Sequence, residues 1–205
     1  MDHYVDIRLQ PDAEFAPAML MAALFTKLHK ALVAGAHQDI GVSFPQMEVG
    51  DAAPALTPTR ASRTGAHPRY ALGQVLRLHG TSLALHKLLT TDWLTGMRDH
   101  VACGAVLAVP TDARHRVVSR VQAKSSPERL RRRQMRRHGL TAEQAQERIP
   151  DSAAEMLNLP FLTLRSQSTG QTFRLFIRLG AEQATAVPGE FGAYGLSPQT
   201  TVPWF

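Results

Sequence analysis

The chain has 205 residues, 44% of them apolar and 20% charged, with 13 Pro and 14 Gly, which excludes a disordered or collagen-like chain and allows one compact domain or two small ones. At this length roughly 70% of the unfolded surface can be buried on folding, so neither a disulfide scaffold nor a structural metal is needed, and the single Cys103 could build neither. The net charge is +6 and arginine outnumbers lysine 19 to 4; guanidinium forks match phosphates and base edges and stack on bases, which favours nucleic acid over a lipid surface as the partner.

Asp2 spoils a basic signal-peptide start, and the longest apolar stretch, 16–25, is shorter than the ~20 residues that span a bilayer, so a cytoplasmic protein is expected. Val5, Ile7 and Leu9 then alternate with Asp6, Arg8 and Gln10, the period of a half-buried strand. Over 17–33, Leu20, Met21, Leu24, Phe25, Leu28 and Leu32 fall on one helical face, with Asp12 and Glu14 placed to favour the helix N-terminus and Gly35 to end it. His29 sits about 100° from the centre of that face, at the seam of core and solvent between Lys27 and Lys30, where it can be a plain surface histidine or a functional one. A strand at 40–44 leads into an extended loop, 46–69, carrying Arg60, Arg63 and Arg69. A strand at 72–78, a helix from 82 to about 98 and a strand at 101–109 follow, with Cys103 read as a small buried hydrophobe in a reducing compartment. The order β-α-β-β-α-β is the ferredoxin-like one, shared by RNA-recognition modules and by many unrelated proteins, so it permits RNA binding without establishing it.

After Pro110 the character changes, which predicts an α+β protein of two parts: a ferredoxin-like (RRM-like) domain, 1–112, and a smaller α+β RNA-binding domain, 113–205. A strand at 116–124 runs into Ser126 as N-cap, Pro127 at the first helical position and Glu128 in the first turn, and Gly139 supplies the stop, giving a helix over 127–138. Between Arg120 and His138 stand Arg120, Lys124, Arg129, Arg131, Arg132, Arg133, Arg136 and Arg137 against Glu128 alone, while the rest of the chain is near neutral. At 100° per residue Arg129, Arg132, Arg133, Arg136 and Arg137 share an arc of about 140°. Like charges so crowded destabilise an isolated helix, which points to phosphates as their neighbours rather than to a merely solvated face. A helix at 141–149, a strand at 161–165, a turn at 167–170 and a strand at 173–179 complete the expected elements, with Trp204 and Phe205 tucking the C-terminus onto the core. Asp12 with Glu14 and His37 with Asp39 are isolated pairs rather than metal sites, and Gly189, Gly192 and Gly195 read as turn glycines, so no metal or cofactor is expected.

The run Ser119-Arg120-Val121-Gln122-Ala123-Lys124-Ser125, continuing through Pro127–Arg133 to Met135-Arg136-Arg137-His138, resembles the arginine-rich segment of the subtype I-F CRISPR repeat endoribonucleases. Met1-Asp2-His3-Tyr4, Lys27-Leu28-His29, Gly41-Val42-Ser43-Phe44-Pro45, residues 164–171 and Val202-Pro203-Trp204-Phe205 resemble the same family in order, over nearly the whole chain. The resemblance implies an enzyme that binds the repeat stem-loop of precursor CRISPR RNA and cuts at the 3′ base of the stem. The cut would need no metal: the upstream 2′-hydroxyl attacks, leaving a 2′,3′-cyclic phosphate and a 5′-hydroxyl. It would then stay with the guide RNA among other subunits of the subtype I-F surveillance complex.

By the same resemblance His29 moves the proton, as an imidazole can near neutral pH. Ser166 holds the attacking 2′-hydroxyl, Tyr194 positions His29, and Ser168 and Thr169 hydrogen-bond the scissile region. Arg132, Arg133, Arg136, Arg137 and His138 line the stem phosphates, Arg120 and Gln122 read a guanine and an adenine edge, and Phe173 stacks on the last base pair. Read from the residues alone, Phe173 is better read as an ordinary core aromatic at a strand start. Side chains do not enter a regular A-form major groove, so this arrangement needs the groove to open near the loop or helix end of a short hairpin. Loop 46–69 exceeds the family pattern and is either a plain surface loop or a contact with flanking RNA or another subunit. The alternative function is a non-catalytic hairpin-RNA-binding subunit of a CRISPR surveillance complex.

Overall fold

The computed structural model describes residues 1–47, 72–122, 127–149, 159–166 and 169–205, so nearly all of loop 46–69, the Ser126 cap and Ser168 lie outside the described residues. The chain forms two compact units, Met1–Arg120 with Leu159–Phe205, and Val121–Asn158.

In the first unit an antiparallel sheet has the strand order β2-β3-β1-β4, from β1 (His3–Leu9), β2 (Gly41–Ser43), β3 (Val75–Gly80) and β4 (Val101–Cys103), with β5 (Leu107–Ala108) also on β1. With α1 (Pro17–Ala34) and α2 (Ser82–Leu89) this is the expected ferredoxin-like arrangement. A second sheet has the order β7-β8-β6-β9, from β6 (Arg114–Val121), β7 (Phe161–Arg165), β8 (Thr172–Leu179) and β9 (Thr201–Trp204). Each sheet draws its strands from one side of residue 112, although both lie in the first unit.

Helix α1 is long and apolar enough to cross a membrane by composition, but its apolar face belongs to the core: Leu20, Met21, Leu24, Phe25, Leu28 and Leu32 are all buried. Burying each such side chain contributes about 1.5–3 kcal/mol, which is why the 3.6-residue period located this helix. Its first turn holds no acidic residue, and Asp12 and Glu14 precede it. Asp12 instead accepts from the backbone N–H of Phe15 and Glu14, and His100 Nδ1 lies 2.8 Å from its other oxygen. The Phe15 and Glu14 amides, and then the His100 ring, hold its carboxyl below the usual carboxylate range.

Three further expectations need correction. Helix α2 stops at Leu89 rather than near 98, because the hydroxyls of Thr90 and Thr91 donate to the carbonyls of Lys87 and Leu88 and satisfy the last turn. The strand expected over 101–109 is interrupted: Cys103 lies opposite Ile7 and Leu107 opposite Tyr4, one residue more on this side than on β1, so a bulge separates β4 from β5. Cys103 is exposed, not buried, on a strand paired only with β1.

Strand β9 was not expected as a strand. Its Pro203 cannot donate to a ladder and is tolerated because β9 is the edge of the second sheet, paired with β6 alone. Tyr4, Asp6, Arg77, His79, Gly41 and Ser43 share one face of the first sheet by register. Val5, Ile7, Leu76, Leu78 and Val42 share the other, in the core with α1. The first face is roofed by the C-terminal segment. A Cβ at Gly41 would come within 2.6 Å of Val202 Cγ1 and 2.8 Å of Phe191 Cζ. Arg77 donates to both Asp6 oxygens at 2.6 and 3.1 Å and to the Phe205 carbonyl at 3.2 Å, with its guanidinium over the Tyr4 and Phe205 rings.

Under that roof His79 is fully buried, with Nε2 2.8 Å from Ser43 Oγ. Burial, with the Arg77 charge adding to it, pushes the imidazole down to about 3 from 6.5. Between those values the unfolded chain binds the extra proton, so stability is complete above pH 6.5 and falls as the medium is acidified, by about 1.4 kcal/mol per pH unit. The melting temperature of the protein is therefore expected to drop between pH 7.5 and 5, and that of His79→Gln to drop less; equal slopes would remove His79 as the cause.

In the second unit, α3 (Pro127–His138) and α4 (Ala142–Arg148) lie against each other. Thr141 and Gln144 form a reciprocal capping box at the start of α4. Gly139, at φ +62, donates its N–H to the Met135 carbonyl and ends α3 as expected.

Candidate active site

Helix α1 places His29 at the rim of the core, half-buried, one residue beyond buried Leu28. His29 Nδ1 is 2.7 Å from the Ala193 carbonyl oxygen. That oxygen can only accept, so Nδ1 carries a proton, and in the neutral form of such a ring the lone pair is on Nε2. The Tyr194 ring lies parallel to the imidazole, with centroids 4.1 Å apart and planes at 17°, and Phe25 stacks parallel to Tyr194 at 6.1 Å. The sequence holds that loop in place through Gly195. Its φ of +67 costs a side-chain-bearing residue about 1–2 kcal/mol, and a Cβ there would meet Val42 Cγ2 at 2.4 Å. Gly195 also accepts from the Val42 N–H at 2.8 Å and donates to Gly192, which binds the loop to β2.

Ser166 follows the end of β7 and shapes a tight turn. Its N–H donates to the Gln171 carbonyl, its carbonyl accepts from Gly170, and its Oγ accepts from the Thr169 N–H at 3.3 Å. Arg165 braces the turn by donating from Nε to the Gly170 carbonyl at 2.9 Å. His29, Ser166, Phe173 and Tyr194, which arise from four separate parts of the sequence, line one open cavity of about 570 Å³, with Lys30 and Arg165 also on its wall. Both added residues bring positive charge to a cavity that has no carboxylate among the described residues of its wall, an electrostatic setting suited to a phosphodiester.

Arg120 joins the same group through its guanidinium, 5.9 Å from the Phe173 ring centroid and 5.6 Å from that of Tyr194. Gln122 is exposed and belongs to the second unit, as do Arg132, Arg133, Arg136, Arg137 and His138, all exposed on α3. Arg131, outside the charged arc, serves α3 differently, since its Nε donates to the Ile149 carbonyl at 2.7 Å and so ties the helix to the end of α4. Among the described residues no three His, Cys, Asp or Glu side chains gather as a metal site. Sequence reasoning missed the Ala193 carbonyl, because a backbone group leaves no mark on composition. It also missed Lys30 and Arg165 as cavity residues, for which adjacency to His29 and Ser166 was an available signal.

These parts define a ferredoxin-like α+β protein with a histidine-bearing cavity and an arginine-rich helix. Residues 4–205 match the family described as CRISPR-associated protein (Cas_Csy4), and the chain belongs to that family. It is 54% identical, over the full 205 residues of both chains, to a protein of Pseudomonas aeruginosa (strain UCBPP-PA14) named CRISPR-associated endonuclease Cas6/Csy4. It is 45% identical, again over both full lengths, to a protein of the same name from Escherichia coli (strain UTI89 / UPEC).

Proposed function

We propose that the chain is a metal-independent endoribonuclease that cuts precursor CRISPR RNA at the 3′ base of the repeat stem-loop and keeps the hairpin it has released. The observation that carries this reading is the His29–Ala193 hydrogen bond at the cavity shared with Ser166, since it presents a lone pair on Nε2 beside a hydroxyl that can orient a ribose. The relatives named as endonucleases support the same class of activity. In the proposed step the 2′-hydroxyl oxygen bonds to phosphorus as its proton passes to His29 Nε2. The bond from phosphorus to the 5′-oxygen breaks, that oxygen takes a proton from solvent to become the 5′-hydroxyl, and His29 returns its own proton to solvent. Ser166 contributes alignment, because in-line displacement requires nucleophile, phosphorus and leaving oxygen to be fixed together. The exposed arginines of α3 supply phosphate contacts, and Thr169 and Ser168 are assigned to the scissile region by family resemblance. Within this proposal the protein works in the cytoplasm with the other subunits of a subtype I-F surveillance complex.

The test mixes the protein, in EDTA, with the repeat hairpin and with a copy carrying one 2′-deoxy nucleotide upstream of the cut. A single cut in the all-ribose RNA, ending in a cyclic phosphate, with none in the deoxy copy, is expected. Tight binding of both RNAs with neither cut would replace this reading with that of a hairpin-binding subunit.

A further inference from the structure

We propose that Arg120 is a positioning residue of the site: lying over both the Phe173 and Tyr194 rings, its guanidinium holds Tyr194 against the His29 imidazole, so that the side chain assigned to base reading also aligns the proton-transferring ring. This rests on the endoribonuclease reading above.

Among the described residues no hydrogen bond holds the Tyr194 hydroxyl, so its ring is placed by packing: against the core, by stacking with Phe25 and His29, and under the Arg120 guanidinium. Phe25 and His29 both come from α1 and constrain the ring from one element. Arg120 comes from β6, whose neighbour in the sheet is β8, the strand that carries Phe173. The guanidinium therefore ties the Tyr194 loop to the second sheet, and with it the Ala193 carbonyl that sets the imidazole tautomer. Both distances fall within the roughly 6 Å over which a cation is attracted to a ring face. A guanine edge that engages the fork in place would also fix the Tyr194 ring, whereas a base that draws the guanidinium away would release it. Discrimination then appears in the rate of the chemical step as well as in affinity.

The experiment measures single-turnover cleavage of the repeat hairpin, with protein saturating for each variant, for the parent, Arg120→Lys and Arg120→Ala, and for Arg120→Ala combined with Tyr194→Leu. It also follows the His29 ring-proton resonances of the RNA-free proteins, which the Tyr194 ring current displaces. Arg120→Ala is expected to slow saturated cleavage about three- to tenfold beyond its loss of affinity. Arg120→Lys is expected to restore most of the rate but not the affinity, because the ammonium keeps the charge and loses the fork. With Tyr194→Leu already present, Arg120→Ala should cost no further rate. The His29 resonances should move in Arg120→Ala and stay in Arg120→Lys. A parental saturated rate in Arg120→Ala, multiplicative losses in the double variant, or unmoved His29 resonances would each overturn the proposal. Failure of the parent itself to cut would overturn the endoribonuclease reading, and the His29 resonances would still decide the role of Arg120.

Discussion

His29→Ala is expected to lower single-turnover cleavage of the repeat hairpin by about 10²–10⁴-fold, the usual contribution of a positioned general base, and to leave hairpin affinity within about twofold. The separation follows from what the ring touches. Its contacts are the Ala193 carbonyl and the Tyr194 face, and Nε2 is the atom left for substrate. The binding energy is assigned elsewhere, to the exposed Arg132, Arg133, Arg136 and Arg137. Paired measurements of cleavage rate at saturation and of dissociation constant settle the matter. An affinity loss above tenfold would mean that the imidazole is a structural support of the Tyr194 loop, and a parental rate would remove it from the chemistry.

The second large effect is ionic. If the arginine helix and its neighbours neutralise about five to seven phosphates, log affinity falls with log salt at a slope of about −4 to −6. Raising salt from 50 to 200 mM would then weaken binding by roughly 250- to 4,000-fold. A titration of hairpin binding against salt checks it, and a slope near zero would show that α3 does not lie along phosphates. Arg136→Ala should flatten the slope by about one, whereas Arg131→Ala should act mainly on stability, because its Nε is committed to the Ile149 carbonyl.

Much of the fold was legible because its signals are local. The apolar stripe of α1, the Pro127 and Gly139 limits of α3 and the Thr141 cap of α4 each depend on residues within a few positions of one another. What escaped depends on partners distant in sequence. The edge strand β9 contains Pro203 and is a strand only because β6 lies beside it. The bulge after Cys103 exists only in register with β1. The early end of α2 reflects hydroxyls that repeat its carbonyl contacts, a choice the periodicity of Leu85 and Leu88 does not reveal. The site follows the same division. The positive arc of α3 is visible from spacing alone, but the seam position of His29 does not by itself separate a functional histidine from a surface one. Its convergence with Ser166, Phe173 and Tyr194 comes from α1, β7, β8 and the Gly192–Gly195 turn meeting in space, and resemblance to a family reached those residues where periodicity could not.

The roof over the first sheet changes what likeness to RNA-recognition modules means. Those modules offer bases an uncovered sheet with aromatic rings on its strands. Here the corresponding surface already has a tenant, the chain's own last strand, with Arg77 clamped between Tyr4 and Phe205 where a base could otherwise lie. The topology is shared while its usual docking floor is taken, so the proposed RNA contacts fall on other elements, α3 and the cavity that holds His29. Mutagenesis guided by fold analogy would target residues such as Tyr4 and Arg77, which already hold the C-terminal segment.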